Sequence, residues 1–448
     1  MTTKVNERAL VLEMLLAVNE EGQYSHLVLR DVLDKYQYLG KQERAFLTRL
    51  MEGTLERQLT LDYVIDQFSK TRVKKMKPLI RNLMRMSVYQ IMYMDSVPDS
   101  AAVNEAVGLT KKMKAASASG FVNAVLRNFL RDEKKIPQIK GNRLKKLEVR
   151  YSCPQWLIKT LLEQYDEPST LAMLEHSLDR PPLYVRVNTT KISVEDCIAR
   201  LEAEGVQVQK DPDLQGCLLL SGTTSIEKLI AFSEGLFHVQ DKSSQLCATA
   251  LDAKEGQRVL DTCSAPGSKS FTTAERMGDS GEVISCDVFE EKIKKISEGA
   301  KRLELNSISA KFQDGTVFCP DLGEFDRVLC DAPCSGIGII GRKPEIKYKK
   351  QQELADLPQI QKKILDTASR YVKKEGILVY STCTLLREEN DQVIEEFLSQ
   401  HTEFEPCPLP KEVREAAKLT DSAAWKVTLF PQMADTDGFF ISCVKKVR

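Results

Sequence analysis

Apolar side chains in the first 130 residues recur at helical intervals. Ala9, Leu10, Leu12, Met14, Leu15, Leu16 and Val18 form one broad face, and Phe46, Leu47, Leu50, Met51 and Leu55 form another. From about residue 6 to residue 130 this pattern predicts consecutive amphipathic helices, an all-α bundle with little strand character. The run Leu83, Met84, Met86, Val88, Ile91, Met92 and Met94 predicts a central buried helix whose methionines fill core. Between residues 132 and 150 the chain turns polar and lysine-rich around Pro137 and Gly141, which predicts a linker. A small α+β segment is expected next: a helix at 156–165, a strand at 183–188 entered through Pro181 and Pro182, and a helix at 194–204.

After about residue 235 short apolar runs alternate with helical sequence. Strands are expected at 258–261, 283–287, 310–314, 325–331 and 377–381, an alternation that predicts a doubly wound, Rossmann-like α/β sheet. Four of these runs end in aspartate, at Asp261, Asp287, Asp314 and Asp331. Acids there would lie at the carboxyl edge of the sheet, where open α/β folds bind ligands. The expected division is a helical domain over 1–135, a linker and small α+β subdomain over 136–235, and an α/β domain over 236–448.

Composition narrows the class. A chain of 448 residues is too long for one small binding module, and 42% hydrophobic with 29% charged residues excludes general disorder. Basic and acidic residues balance at 64 each, but the first 150 residues hold 27 basic against 17 acidic side chains. The basic front third fits a phosphate-bearing partner, because clustered Lys and Arg displace the counterions condensed on a nucleic acid; a solvated helical surface reads the same way. No run reaches the roughly 18 uncharged apolar residues of a membrane span, and the start lacks a signal-peptide apolar region. The expected location is the cytoplasm. All 12 cysteines lie beyond residue 150 without a Cys-x-x-Cys pair, and the four histidines are scattered, so no metal site is expected.

Three segments carry candidate chemistry. The first, Asp261-Thr-Cys-Ser-Ala-Pro-Gly-Ser-Lys-Ser270, leads from a strand through small residues into a helix and permits close backbone approach to a ligand. It is neither a Walker loop nor a dinucleotide fingerprint. Asp287 and Asp314 follow at later strand ends, where carboxylates accept hydrogen bonds from a nucleoside; either alone reads equally as a turn or helix cap. Together they suggest an adenosine cofactor carrying a positive sulfonium, S-adenosylmethionine, in preference to a triphosphate.

The second segment is Asp331-Ala-Pro-Cys-Ser-Gly336, continuing through Arg342, Lys343, Pro344, Ile346, Lys347 and Tyr348, and the third is Ser381-Thr-Cys-Thr384. Carbon 5 of a pyrimidine is a poor nucleophile. Addition of a thiolate to carbon 6 converts the ring to an enamine-like species that attacks an electrophilic methyl group. A base must then remove the carbon-5 proton before the thiolate leaves. Asp331 suits the ring nitrogen and exocyclic amine of cytosine. Cys334 and Cys383, each on its own a small buried hydrophobe, together supply the thiols.

With these motifs the chain resembles the RNA cytosine-5 methyltransferase family, in its bacterial branch acting on small-subunit (16S) rRNA, over nearly its full length. Phe237-His-Val-Gln-Asp-Lys-Ser-Ser-Gln245 and Asp437-Gly-Phe-Phe440 match further recurring segments of that family. The resemblance implies that Cys263, Ser264, Ala265, Pro266, Gly267, Ser268 and Lys269 line the cofactor pocket, with Asp287 and Asp314 on the adenosine. It implies that Asp331 lies between cofactor and base, that Cys383 is the nucleophile, and that Cys334 assists product release. Chemistry alone does not rank the two cysteines, because DNA cytosine methyltransferases attack from the Pro-Cys position. Ser264, Ser268 and Ser270 depart from the usual Ala, Gly and Thr, and Gly341-Arg-Lys replaces a more basic run. A serine at 268 would be strained if that position needs a positive φ.

The helical front resembles the RNA-binding fold of the antitermination factor NusB. That likeness makes Lys111, Lys112, Lys114, Arg127 and Arg131 candidates for phosphate contacts, with plain solvation of each the alternative. The expectation is therefore an enzyme with small-subunit rRNA as partner and neither membrane nor metal. Methylation of tRNA or another RNA, an exocyclic amino methyltransferase, and a noncatalytic RNA-binding factor are the rivals. The second of these would need an Asn/Asp-Pro-Pro-aromatic loop where Asp-Ala-Pro-Cys stands.

Overall fold

The computed structural model describes residues 5–132, 134–223 and 225–448. Contacts divide it into two units, one of residues 1–179 with 340–351 and one of residues 180–339 with 352–448. The line falls at 179/180, between the boundaries expected at 135 and 235.

Among the described residues the first unit is all helical. Its leading helices are Glu7–Glu21, Ser25–Lys35, Lys41–Glu56, Gln58–Phe68, Pro78–Tyr93, Asp99–Lys112 and Ser119–Arg131. The predicted faces form its core: Leu12, Leu15, Leu47, Leu50, Leu83, Met84 and Met86 are buried, and Pro78–Tyr93 is the central helix foreseen from its methionines. Asn6 accepts the Ala9 amide at the first N-terminus, and Gly22 closes that helix in the left-handed region. The expected linker is only partly one. Residues 143–151 form the helix Arg143–Tyr151, whose Val149 and Tyr151 are buried and whose Val149 carbonyl accepts the Thr60 hydroxyl at 2.5 Å. Its lysines line the outer face and hid the apolar pair in the sequence. Helices Gln155–Gln164 and Glu167–His176 complete the unit.

Residues 340–351, although they follow the Asp331–Gly336 motif directly, also belong to this unit. Glu345 accepts the Ser25 amide and hydroxyl, and the Lys347 ammonium and Tyr348 hydroxyl both donate to the Glu56 carbonyl, at 2.8 and 3.0 Å. Lys347 is fully buried, and burial pulls it down from 10.5 to about 8. A lysine depressed in the folded state holds fewer protons than in the unfolded chain between those two values. Stability therefore rises with pH from about 8 to 10.5, and below 8 the full burial cost of roughly 3 kcal/mol persists. Lys347→Met, which leaves Tyr348 on the Glu56 carbonyl, is expected to stabilise the protein by about 1–3 kcal/mol at pH 7. The gain should vanish near pH 10.5. Denaturant titrations at both pH values check it, and a destabilised variant at pH 7 would show that the ammonium bond outweighs its burial.

The second unit holds two sheets. The smaller is antiparallel, with strands β1 (Leu183–Val187), β2 (Gln207–Lys210), β3 (Cys217–Ser221) and β4 (Phe237–Val239) in the order β2-β3-β1-β4. The helix Val194–Ala203 packs on it through Cys197 and Leu201. The strand expected at 183–188 and the helix expected at 194–204 are both here, but the helix expected at 156–165 forms as Gln155–Gln164 in the first unit, and the sheet draws its last strand from beyond residue 235.

The larger sheet contains β5 (Arg258–Asp261), β6 (Glu282–Asp287), β7 (Ile308–Phe312), β8 (Phe325–Asp331), β9 (Val372–Thr382), β10 (Phe404–Pro406), β11 (Lys426–Leu429) and β12 (Phe439–Lys446). Its order is β10-β12-β9-β8-β5-β6-β7, with β11 paired to β12. Strands β5 to β9 run parallel and β12 runs antiparallel to β9. The order reverses between β5 and β8, so the crevice at their carboxyl ends is the ligand position of a doubly wound sheet. A buried ion pair, Arg186 on β1 to Glu275 on the helix Ser268–Arg276 at 2.7 Å, joins the two sheets' layers.

Candidate active site

Asp261, Asp287 and Asp331 terminate β5, β6 and β8 as expected. Asp314 does not terminate a strand: β7 ends at Phe312, two residues earlier than the pattern suggested. Its exposed carboxylate accepts the Thr316 amide and hydroxyl at 2.8 and 2.7 Å, which holds its pKa below the usual range. That is the turn-capping alternative. With Gly315 it lines a small cavity that Thr262 and Cys286 also border.

The loop after β5 is held by its serines. The Ser264 amide and hydroxyl both donate to the Cys286 carbonyl at the end of β6, at 2.8 and 3.1 Å. The positive φ falls on Gly267, at 107°, while Ser268 is the first residue of a helix. The strain anticipated at Ser268 is therefore absent, because the left-handed position is the retained glycine. A Cβ on Gly267 would lie 2.6 Å from the Phe271 ring. Beneath that ring sits His238, T-shaped at 5.6 Å between centroids. Burial, with Arg186 nearby, pushes His238 down to about 3, so it is a neutral support. This explains the recurring segment at 237–245, whose Gln240 accepts the Thr272 hydroxyl at 2.5 Å.

Asp261, expected at the carboxyl edge of the sheet but not among the cofactor-binding residues, is strongly perturbed. It is 2% exposed, and its Oδ2 accepts the Ser270 hydroxyl at 2.7 Å while its Oδ1 has no hydrogen-bond partner. Burial raises its pKa to about 7, against the Ser270 bond and with the Asp331 charge adding to the shift. A buried acceptor without a donor fits a ligand that brings one. The signal available in sequence was its position, first in the motif at a strand end.

Lys269, reaching back from the helix, pairs with Asp331 Oδ2 at 2.7 Å, and the Ser381 hydroxyl donates to Asp331 Oδ1 at 2.8 Å. Burial works against the Lys269 charge, but Asp331 outweighs it and holds the ammonium above its ordinary value. Lys269 also lies 5.2 Å from the Phe439 ring centroid. The segment containing Phe439 is bound in directly: the Gly438 amide donates to the Gly338 carbonyl at 2.8 Å, and the Gly338 amide to the Cys383 carbonyl at 3.0 Å.

The Cys334 and Cys383 sulfurs, 49 residues apart in the chain, lie 3.3 Å from each other. All 12 cysteines are free thiols. The Cys334 thiol is raised well above its usual value, first by the hydrogen bond with Cys383 and then by burial. Around them Glu389, Asn390 and Gln361, which the sequence reading did not single out, are fully or almost fully buried. Among the described residues no group of three or more His, Cys, Asp and Glu side chains is placed to hold a metal, and no helix is long and apolar enough to cross a membrane.

The parallel sheet with its crevice, the small-residue loop and the acid at each neighbouring strand end define a class I methyltransferase fold carrying a helical extension. Family models agree along the chain: NusB family over residues 5–131, RsmF/B-like ferredoxin-like domain over 153–227, and 16S rRNA methyltransferase RsmB/F over 248–445. A probable ribosomal RNA small subunit methyltransferase B of Bacillus subtilis is 38% identical, covering 99% of each chain. The ribosomal RNA small subunit methyltransferase B of Proteus mirabilis is 31% identical over the full length of both. Among solved structures, a methyltransferase homolog protein from Pyrococcus horikoshii matches with a TM-score of 0.58 at 26% identity, covering 68% of this chain and all of its own. The chain belongs to the ribosomal RNA small subunit methyltransferase B family.

Proposed function

We propose that the protein transfers a methyl group from S-adenosylmethionine to carbon 5 of a cytosine in small-subunit rRNA, in the cytoplasm, through a covalent bond between Cys383 and carbon 6. The observation that carries this reading is the pair of sulfurs 3.3 Å apart beside an aspartate whose two oxygens are held by Lys269 and Ser381. The division of labour follows the motif boundaries, with residues 1–135 binding RNA, 136–235 joining, and 236–448 performing the chemistry.

The residues present fit the cofactor. Asp261 Oδ1 is a buried acceptor in need of a donor, Gly267 gives the loop its close approach, and Asp287, which also accepts the Phe289 amide at 3.2 Å, offers a carboxylate at the next strand end. Cys263, Ala265, Pro266 and Ser268 complete the loop, with Asp314 at its rim. When bound, S-adenosylmethionine supplies an electrophilic methyl group on a sulfonium. Gly267→Ala would place a methyl against Phe271 in a left-handed conformation, at a cost of about 1–3 kcal/mol. Cofactor affinity is expected to fall about tenfold or more, read by calorimetric titration; unchanged affinity would remove this loop from the pocket.

In the proposed cycle Cys383 as thiolate would add to carbon 6, and carbon 5, made nucleophilic, would take the methyl group as its bond to the sulfonium sulfur breaks and S-adenosylhomocysteine is left as the neutral thioether. Asp331, paired with Lys269, accepts a hydrogen bond from the exocyclic amine. Cys334 would assist by holding a water that takes the carbon-5 proton; the C–H pair then forms the carbon 5–carbon 6 double bond and the carbon 6–sulfur bond breaks, its pair leaving on the Cys383 sulfur. The cytosine must leave its stack to reach the thiols. Lys111, Lys112, Lys114, Arg127 and Arg131, all exposed, would position the RNA through phosphates without reading sequence. The test is nucleoside mass spectrometry and methylcytosine mapping on RNA from cells with and without the gene. Loss of one 5-methylcytosine in small-subunit rRNA is expected; loss from tRNA alone, or of an N4-methyl group, would overturn the reading.

A further inference from the structure

Three buried side chains, Asn390, Gln361 and Glu389, between them hold the residues on both sides of each of the two cysteines. The residues flanking Cys383 are held by Asn390: its Oδ1 accepts the Thr382 hydroxyl at 2.5 Å, and its Nδ2 donates to the Thr384 carbonyl at 3.0 Å. The residues flanking Cys334 are held by Gln361 and Glu389. Gln361 Nε2 donates to the Pro333 carbonyl at 3.0 Å, and Glu389 Oε2 accepts the Ser335 amide at 2.9 Å. Gln361 Nε2 also donates to Glu389 Oε2 at 2.7 Å, so these two clamps are one unit.

Glu389 additionally joins one loop to the other. Its Oε1 accepts the Thr384 hydroxyl at 3.4 Å, and the Ser335 and Thr384 hydroxyls meet at 2.7 Å. Glu389 is 2% exposed, Gln361 and Asn390 are wholly buried, and the Glu389 main-chain carbonyl accepts the Tyr380 hydroxyl at 2.5 Å. A carboxylate withdrawn from water is costly unless its oxygens are filled by donors. Here two donors on the Cys334 side and one on the Cys383 side fill them, so the same bonds that solvate Glu389 hold the two loops in register. The Glu389 carboxylate meets the Ser335 amide, the Gln361 side-chain amide and the Thr384 hydroxyl, two of which belong to residues directly following the thiols in the chain.

We propose that Glu389 is a positioning residue that fixes the separation of the Cys334 and Cys383 sulfurs and thereby sets how fast the covalent RNA intermediate is resolved. The proposal rests on the assignment of Cys383 to attack and Cys334 to release. Glu389 is 2% exposed and acts through Ser335, Gln361 and Thr384, beside the two thiols. Loosening it lets the Ser335 amide and its neighbouring thiol drift from Cys383, and a displacement on the scale of an ångström costs up to about 100-fold in such a step. Attack by Cys383, still held by Asn390, is affected less.

The experiment compares full-length wild type, Glu389→Ala, Glu389→Gln and Cys334→Ala on a small-subunit rRNA transcript with labelled S-adenosylmethionine. Single turnovers are quenched into denaturing gels to count the protein–RNA adduct, and KM for cofactor is measured alongside kcat. The expected result is adduct accumulation in Glu389→Ala, with kcat down about 10- to 100-fold and cofactor KM within about twofold of wild type. Glu389→Gln, which keeps an acceptor for one donor, should recover part of the rate and carries the test if the alanine variant is insoluble. Wild-type resolution in both variants, while Cys334→Ala traps adduct, overturns the positioning role and leaves the cysteine roles standing. Parallel loss of cofactor binding, kcat and thermal midpoint without adduct also overturns it, since that is general destabilisation. No adduct in Cys334→Ala overturns the assignment on which the proposal rests.

Discussion

Cys383→Ala is expected to abolish turnover and to leave no protein–RNA adduct, while Cys334→Ala transfers its methyl group and then stays bonded to the RNA. On the proposed roles the two variants separate because the thiols would serve different bonds. Without the Cys383 sulfur carbon 5 is never activated, and no other described group stands in its place: Cys334 is set 3.3 Å away behind a raised pKa. Without Cys334 the addition and methylation proceed, but loss of the carbon-5 proton loses its assisting group and the bond to Cys383 persists. General acid–base assistance of this kind is worth about 10² to 10⁴ in rate, so a stable band on a denaturing gel with labelled rRNA is the expected signature. An adduct in Cys383→Ala and none in Cys334→Ala would interchange the roles.

The second large effect is expected at Asp331. Removing its carboxylate in Asp331→Ala strips Lys269 of a partner at 2.7 Å and leaves an almost buried ammonium uncompensated. That charge would also repel the sulfonium of the cofactor. The exocyclic amine of the base loses its acceptor in the same substitution. We expect kcat to fall about 10³-fold and cofactor affinity to weaken with it. Asp331→Asn keeps the shape and the Ser381 bond but not the charge, and should weaken both less. Single-turnover methyl transfer and calorimetric titration measure the two losses separately. Activity of Asp331→Ala within fivefold of wild type would place the base elsewhere.

The sites of error in reading the sequence share a cause. Strand β7 lies at the edge of its sheet with only part of its surface covered, so its apolar pattern is weak and its end slid by two residues, carrying Asp314 with it. The helix Arg143–Tyr151 shows its lysines to solvent and buries only Val149 and Tyr151, too few apolar positions to set a period. Ser268 drew attention as a departure, but the backbone placed the left-handed residue one position earlier, on Gly267. Glu389 and Asn390 stand in the charged stretch Arg387, Glu388, Glu389, Asn390, Asp391, which reads as a solvated helix start. Their burial depends on Ser335 and Gln361, 54 and 28 residues away from Glu389.

Local pattern alone sufficed for the helical front, the parallel strands of the α/β region and the three motifs, because periodicity and small-residue loops express contacts within a few residues of chain. Which groups face one another was a matter for the folded chain. The meeting of Cys334 with Cys383, the Lys269 ammonium on Asp331, the orphaned Asp261 oxygen and the inclusion of residues 340–351 among the helices are all products of long-range packing. Charge and desolvation act through distance in space, and a one-dimensional order of residues does not contain that distance.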